Sequence, residues 1–324
     1  MNSPRLGLAL GSGSARGWVH IGIIRALLER GLVPAVVSGS SVGALVAAAY
    51  ASNKLDALES WVRTLTQVDV WRLVDTTFRG GVMTGTRLMT TIEEQMENPL
   101  IEELEIAFAA VATDLYTGEE IWLQTGRVME AVRASSGLPG LFTPDWHQGR
   151  WLIDGGVVNP VPVSPCRAMG ADIVIAVDLS RPTTRAGQRV PQQPLTQSAE
   201  ASGNDSSAAG DIEPGNAILS RWSGKLDGLV ESFRTRRSEP GLIEVMSGAV
   251  GIMQDRITRN RLDADPPDAV LRPDLADFQL MDFHRAAEAI DRGMAYVADN
   301  SALLQPIRLA LGEDLAGGEP TTRS

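Results

Sequence analysis

The sequence predicts a layered α/β fold, built as one large domain with an irregular insertion, on three observations. Short apolar runs alternate with stretches of helical spacing along most of the chain. The run DIVIAVDL at 172–179 is almost wholly apolar, as expected of a strand buried on both faces of a sheet. With 324 residues, 44% of them hydrophobic, the chain can bury a sizeable core.

Taken in order, residues 6–10 form a short strand ending at glycine, and 18–29 a helix with Ile21, Ile24, Leu27 and Leu28 on one face. Val36 and Val37 make a second strand, followed by a small-residue helix at 44–51 and an amphipathic segment at 55–65. A glycine-containing loop, GGVMTGTRL, is expected at 80–88. Strands at 107–113 and 120–123 flank the turn-like DLYTGE, and a helix at 127–135 leads through SSGLPGLFTP to a strand at 151–153. Helical periodicity returns at 242–262, a strand-like AVLRP follows at 269–273, and an amphipathic helix occupies 283–298. Between Arg181 and about Ser220 there is no aromatic residue and little large aliphatic surface to offset the entropy of ordering. The expected division is therefore a core at 1–180, a disordered insertion at 181–240, the rest of the same domain at 241–312 and a loose tail at 313–324.

Charge and cysteine content remove several functions. A net charge of −11 and a pI near 4.9 lack the basic footprint of nucleic-acid binding. A single cysteine, Cys166, excludes a disulfide framework, and glycines and an arginine interrupt the N-terminal stretch before a signal-type apolar run develops. A cytoplasmic protein is expected. No run approaches the roughly 18 apolar residues of a membrane span, so membrane contact would be peripheral.

Three segments carry candidate chemistry. Gly11-Ser12-Gly13-Ser14-Ala15-Arg16-Gly17 is a glycine-rich turn between strand and helix, whose backbone N–H groups suit a phosphate or the oxyanion of acyl transfer. Dinucleotide binding would require an acidic residue about twenty positions on, where the chain reads VVSGSS. Gly39-Ser40-Ser41-Val42-Gly43, between a strand and a small-residue helix, has the pattern of a nucleophile elbow with Ser41 at its apex; Ser40 is off-centre and expected to pack or cap. Asp154-Gly155-Gly156 follows an apolar strand, either as a turn or as the general base a serine needs. Among the histidines, His20 lies one turn into the first helix, His147 in a polar turn, PDWHQGR, and His284 in the amphipathic helix. Ser41, Asp154 and His284 follow the chain order of an α/β-hydrolase triad. Against it, Ser41 arrives after only about two strands and without an oxyanion loop of the HGGG type. No HExxH or CxxC motif calls for a metal.

The ordered set GSGSARG, GSSVG and DGG resembles the three signatures of the patatin-like phospholipases, which use a Ser-Asp dyad. The resemblance extends to VATDLYTGEEIWL, RASSGLPGLFTP, DGGVVNPVPV, GADIVIAVDL, PPDAVLRP and DFHRAAEAI, and is greatest to the bacterial RssA-type branch. It covers nearly the whole chain outside the insertion and the tail. It implies a three-layer α/β/α sandwich with a mainly parallel sheet, Ser41 as nucleophile, Asp154 as base and an oxyanion hole at Gly13 and Ser14. A lipid or other acyl-ester substrate and the absence of a cofactor are implied as well. Many members carry an all-glycine run where Ser12 and Ser14 stand here, which restricts the backbone if either position needs positive φ. Arg16 matches the family's basic loop residue and is expected to hold the loop through carbonyls. The other class of function considered is a regulatory or adaptor protein that keeps the hydrolase fold with little activity.

Overall fold

The computed structural model describes residues 3–73, 84–180 and 242–312; the expected insertion and tail lie outside these residues. Residues 1–183 and 246–324 cluster as one compact unit, distinct from 184–245. Eight strands form one sheet: β1 (Leu6–Leu10), β2 (Val36–Ser40), β3 (Ala107–Asp114), β4 (Glu120–Leu123), β5 (Asp145–His147), β6 (Arg150–Asp154), β7 (Ile173–Val177) and β8 (Ala269–Leu271). Their order is β5-β6-β3-β2-β1-β7-β8, with β4 paired to β3. Strands β3, β2, β1, β7 and β8 run parallel, whereas β4, β5 and β6 make the antiparallel edge.

Ten α-helices accompany the sheet among the described residues: α1 (Val19–Leu28), α2 (Val42–Ala51), α3 (Leu55–Thr64), α4 (Gln67–Leu73), α5 (Thr86–Met96), α6 (Val128–Ser135), α7 (Val163–Ala168), α8 (Leu242–Ala264), α9 (Ala286–Asp299) and α10 (Gln305–Ala310). Alternation along the strands separates the two apolar layers. Leu8, Leu10, Ile173, Ile175 and Val177 join α1, α2, α6 and α9 in the larger core. Ala9, Val36, Val174 and Ala176 join Val163 and Cys166 of α7 and Leu262 of α8 in the smaller one. The result is the three-layer α/β/α arrangement, with parallel strands apolar on both faces.

The structure corrects the sequence reading at several places. Helices α4, α5, α7 and α10 and strand β5 were not anticipated. Residues 80–83 of the expected GGVMTGTRL loop lie outside the described residues, and Thr86–Leu88 open α5 instead of continuing a loop. The helix forms because Leu88, Met89, Ile92 and Met96 share one side, with Ile92 and Met96 buried. His147 sits in β5, paired with Arg150 across a tight hairpin, and not in a solvated turn. His284 belongs to a 3₁₀ turn, Phe283–Arg285, just ahead of α9.

Candidate active site

The parallel order sends the C-terminal ends of β1 and β2 to the same edge of the sheet, and both strands turn there into helices. Strand β2 runs to Ser40, three residues beyond the two valines that mark it in sequence, and α2 starts at Val42. Ser41 occupies the single residue between them at φ 58° and ψ −128°, a conformation that costs a non-glycine residue about 1–3 kcal/mol. Gly39 and Gly43 make this turn possible. A side chain on Gly39 would strike the backbone of Gly43, and one on Gly43 the carbonyl of Leu10, so the two turns pack backbone to backbone.

Three hydroxyls around the elbow have distinct partners. Ser40 donates to the Asn159 carbonyl at 2.6 Å and so ties the elbow to the segment after β6, which is the packing role expected of it. Ser135, at the end of α6, accepts the Ser41 N–H at 2.9 Å and donates to the Val111 carbonyl at 2.5 Å. The Ser41 hydroxyl lies near enough to the Asp154 carboxylate to favour its charged form.

Asp154 ends β6 and is fully buried. Its position is fixed by pairing with Ala112 of β3, by the Thr113 hydroxyl on its carbonyl at 2.9 Å and by its own N–H on the Gly137 carbonyl. Gly156 N–H donates to its carboxylate at 2.7 Å. Gly155 packs so close to the Val111 carbonyl that no side chain fits. Burial pushes the Asp154 carboxyl up from 3.8 to about 6, although the nearby Ser41 hydroxyl and the Gly156 N–H draw it down. Near neutral pH it is thus an ionised carboxylate whose basicity exceeds that of an ordinary aspartate.

The glycine-rich turn borders the same space. Gly11 and Ser12 donate to the carbonyls of Val177 and Pro160, which fixes the start of the turn. The N–H groups of Gly13 and Ser14 have no backbone acceptor among the described residues. Ser14 does take positive φ, 51°, the constraint foreseen for a serine replacing glycine here; Ser12 does not. The Ser14 hydroxyl donates to the Leu280 carbonyl at 2.7 Å, which helps hold that backbone. Arg16 bonds the carbonyls of Gly13 at 3.3 Å and Leu179 at 2.7 Å. Gly17 lies against Val42, leaving no room for a side chain between turn and elbow.

Ser12, Gly13, Ser14, Arg16, Ser41 and Asp154 all line one cavity of about 150 Å³. Its other walls are largely apolar, with Leu45 from α2, Val70 from α4, Leu88 and Ile92 from α5, and Leu138 and Phe142 from the loop after α6. Five polar residues in the wall were not singled out from sequence: Thr84, Ser136, Thr143, Arg133, which is paired to Asp145 at 2.8 Å, and Gln254 of α8. None of the three histidines lines it. His20 is buried with Nε2 on the Gly11 carbonyl at 2.8 Å, and burial pushes it down from 6.5 to about 4, so it supports the glycine turn as a neutral ring. Among the described residues no cluster of His, Cys, Asp and Glu could hold a metal ion.

The patatin-like phospholipase family model matches residues 8–167, a span that includes the glycine turn, the elbow and Asp154-Gly155-Gly156. An uncharacterized NTE family protein of Mycobacterium bovis is 34% identical over 91% of this chain and 90% of its own length. A patatin-like phospholipase domain-containing protein of Caenorhabditis elegans is 37% identical over 54% of this chain. Patatin-like phospholipase domain-containing protein 6 of Homo sapiens is 33% identical over the same share. The chain spans 13% of the length of each of these two animal proteins.

Proposed function

The chain belongs to the patatin-like phospholipase family, a family of lipid hydrolases, and on that premise we propose that it cleaves carboxyl esters of lipids through a Ser41–Asp154 dyad. The observation that carries this reading is that Ser41, on a strained elbow, and the buried carboxylate of Asp154 line the wall of one largely apolar cavity. Asp154 takes the hydroxyl proton as Ser41 Oγ attacks the ester carbonyl, and the N–H groups of Gly13 and Ser14 hold the oxyanion that forms. The tetrahedral intermediate collapses, the alcohol leaves with the proton from Asp154, and the acyl group stays on Ser41. Asp154 then deprotonates a water that attacks the acyl ester, and the fatty acid departs as Ser41 recovers its proton. The apolar walls suit an acyl chain, whose burial supplies binding energy without a polar partner.

Because the base must be unprotonated, turnover should fall as the pH drops through about 6, the value to which burial raises Asp154. A pH series with a phospholipid or acylglycerol ester, run beside Ser41→Ala, tests the reading. Turnover by the wild type that vanishes in the variant supports it. No turnover of any lipid or short-chain ester would favour the adaptor alternative.

A further inference from the structure

We propose that the two hairpin turns beside the cavity form a docking surface for a zwitterionic or uncharged lipid–water interface. Strand β6 runs antiparallel to β3, so the β5–β6 turn projects past the C-terminal end of β3, the edge at which the elbow and glycine turn also lie. The β3–β4 turn leaves the same end of β3, and the Leu115 N–H reaches the Trp151 carbonyl at 2.8 Å, joining the two turns. Both present large apolar side chains to solvent. Tyr116 is 80% exposed and Trp146 58%, and Leu115 and Trp151 are exposed as well. Trp146 and Trp151 are cross-strand partners with ring centroids 5.1 Å apart.

Leaving such rings in water forgoes their burial energy, and Trp and Tyr are the side chains that favour the boundary between hydrocarbon and water. Trp151 stands three residues from Asp154 on β6, about 10 Å at strand rise, so a surface bound there lies beside the cavity. Charge decides which surface. Arg150 is paired with Asp114 at 3.2 Å and Glu119 at 3.0 Å, and Asp145 with Arg133, so among the described residues the cations at the patch are already paired. The chain as a whole carries −11, which repels an anionic membrane.

The docking surface rests on the lipid-hydrolase reading for its purpose, and its test separates the two. Flotation of the full chain with phosphatidylcholine vesicles is compared between wild type and Tyr116→Ser/Trp146→Ser, with Tyr116→Ser alone as a milder variant at a solvated turn. The expected result is about a tenfold or greater loss of vesicle partitioning in the double variant and a smaller loss in the single one. Hydrolysis of a soluble short-chain ester should stay within about twofold. Equal flotation of wild type and both variants, or binding that strengthens when phosphatidylglycerol is added, would overturn the proposal. A wild type that floats in a Trp146-dependent way yet hydrolyses no ester would instead overturn the esterase reading and leave the docking surface supported.

Discussion

Ser14 and Ser41 both line the cavity and both hold left-handed backbone, at φ 51° and 58°, yet their hydroxyls are disposed in opposite ways. Ser14 donates to the Leu280 carbonyl, and what it offers the cavity is its N–H. Ser41 has its N–H engaged by Ser135, and its hydroxyl is the group turned to Asp154. Positive φ thus serves two ends. At Ser14 the side chain is an accessory to the backbone, so glycine could replace it; at Ser41 the backbone is held for the sake of the side chain.

The largest expected effect follows from that contrast. Ser41→Ala should lower turnover by about a thousandfold or more, whereas Ser14→Gly, which keeps the N–H and relieves the positive φ, should stay within about tenfold of wild type. Steady-state hydrolysis of one ester by both variants checks this. A folded Ser14→Gly protein as inactive as Ser41→Ala would erase the distinction. Ser135→Ala probes what holds the elbow. It leaves the Ser41 N–H and the Val111 carbonyl without their partner, so it should cost about 1–3 kcal/mol in urea denaturation. Turnover should fall by about 10- to 100-fold through the displaced nucleophile, mainly in kcat. Unchanged kinetics would mean that Gly39 and Gly43 fix the turn by themselves.

Asp154 offers a third test, because its burial should burden folding. Asp154 has an ordinary pKa of 3.8 and about 6 when folded, so between those values the native state holds more protons than the unfolded one. Stability is therefore lost as pH rises through that window and stays lower above it, by about 3 kcal/mol for a shift of about two units. Asp154→Asn removes the charge, so its stability advantage over wild type should widen by about that amount between pH 4 and pH 8. A gap that does not change with pH would show that burial does not disfavour the carboxylate. The smallest effects are expected at His20, His147 and His284. Each Gln variant should retain activity within about tenfold, with circular dichroism to confirm folding. A folded histidine variant that loses several powers of ten would replace the dyad with a triad.

The elbow and the Asp154 turn were legible in sequence because each is a local pattern. A strand, a strained residue between glycines and a helix occupy consecutive positions, and so do an apolar strand and DGG. Ser135 was not legible, since it meets Ser41 only through the sheet, 94 positions away, and a serine at a helix end has many ordinary explanations. The apolar wall built by α5 was missed for a different reason. The spacing of Leu88, Met89, Ile92 and Met96 was present, but the glycines just before it read as loop and hid the start of α5. Strand β5 has only three residues, all partly exposed, too few for a period of two to register. Helix α7 carries Pro165 within its six residues, and a proline reads as a breaker although the first turn of a helix tolerates it.

Whether Asp154 activates Ser41 without an intermediary is read by covalent labelling with a fluorophosphonate probe, followed over time in wild type, Ser14→Gly and Asp154→Asn, with the modified residue mapped by mass spectrometry. Label is expected on Ser41 alone, at similar rates in wild type and Ser14→Gly, and at a rate lower by about a thousandfold in folded Asp154→Asn, where the amide keeps the shape but cannot take the proton. Label on Ser14 or Ser40, or rapid labelling of Ser41 in Asp154→Asn, would contradict it.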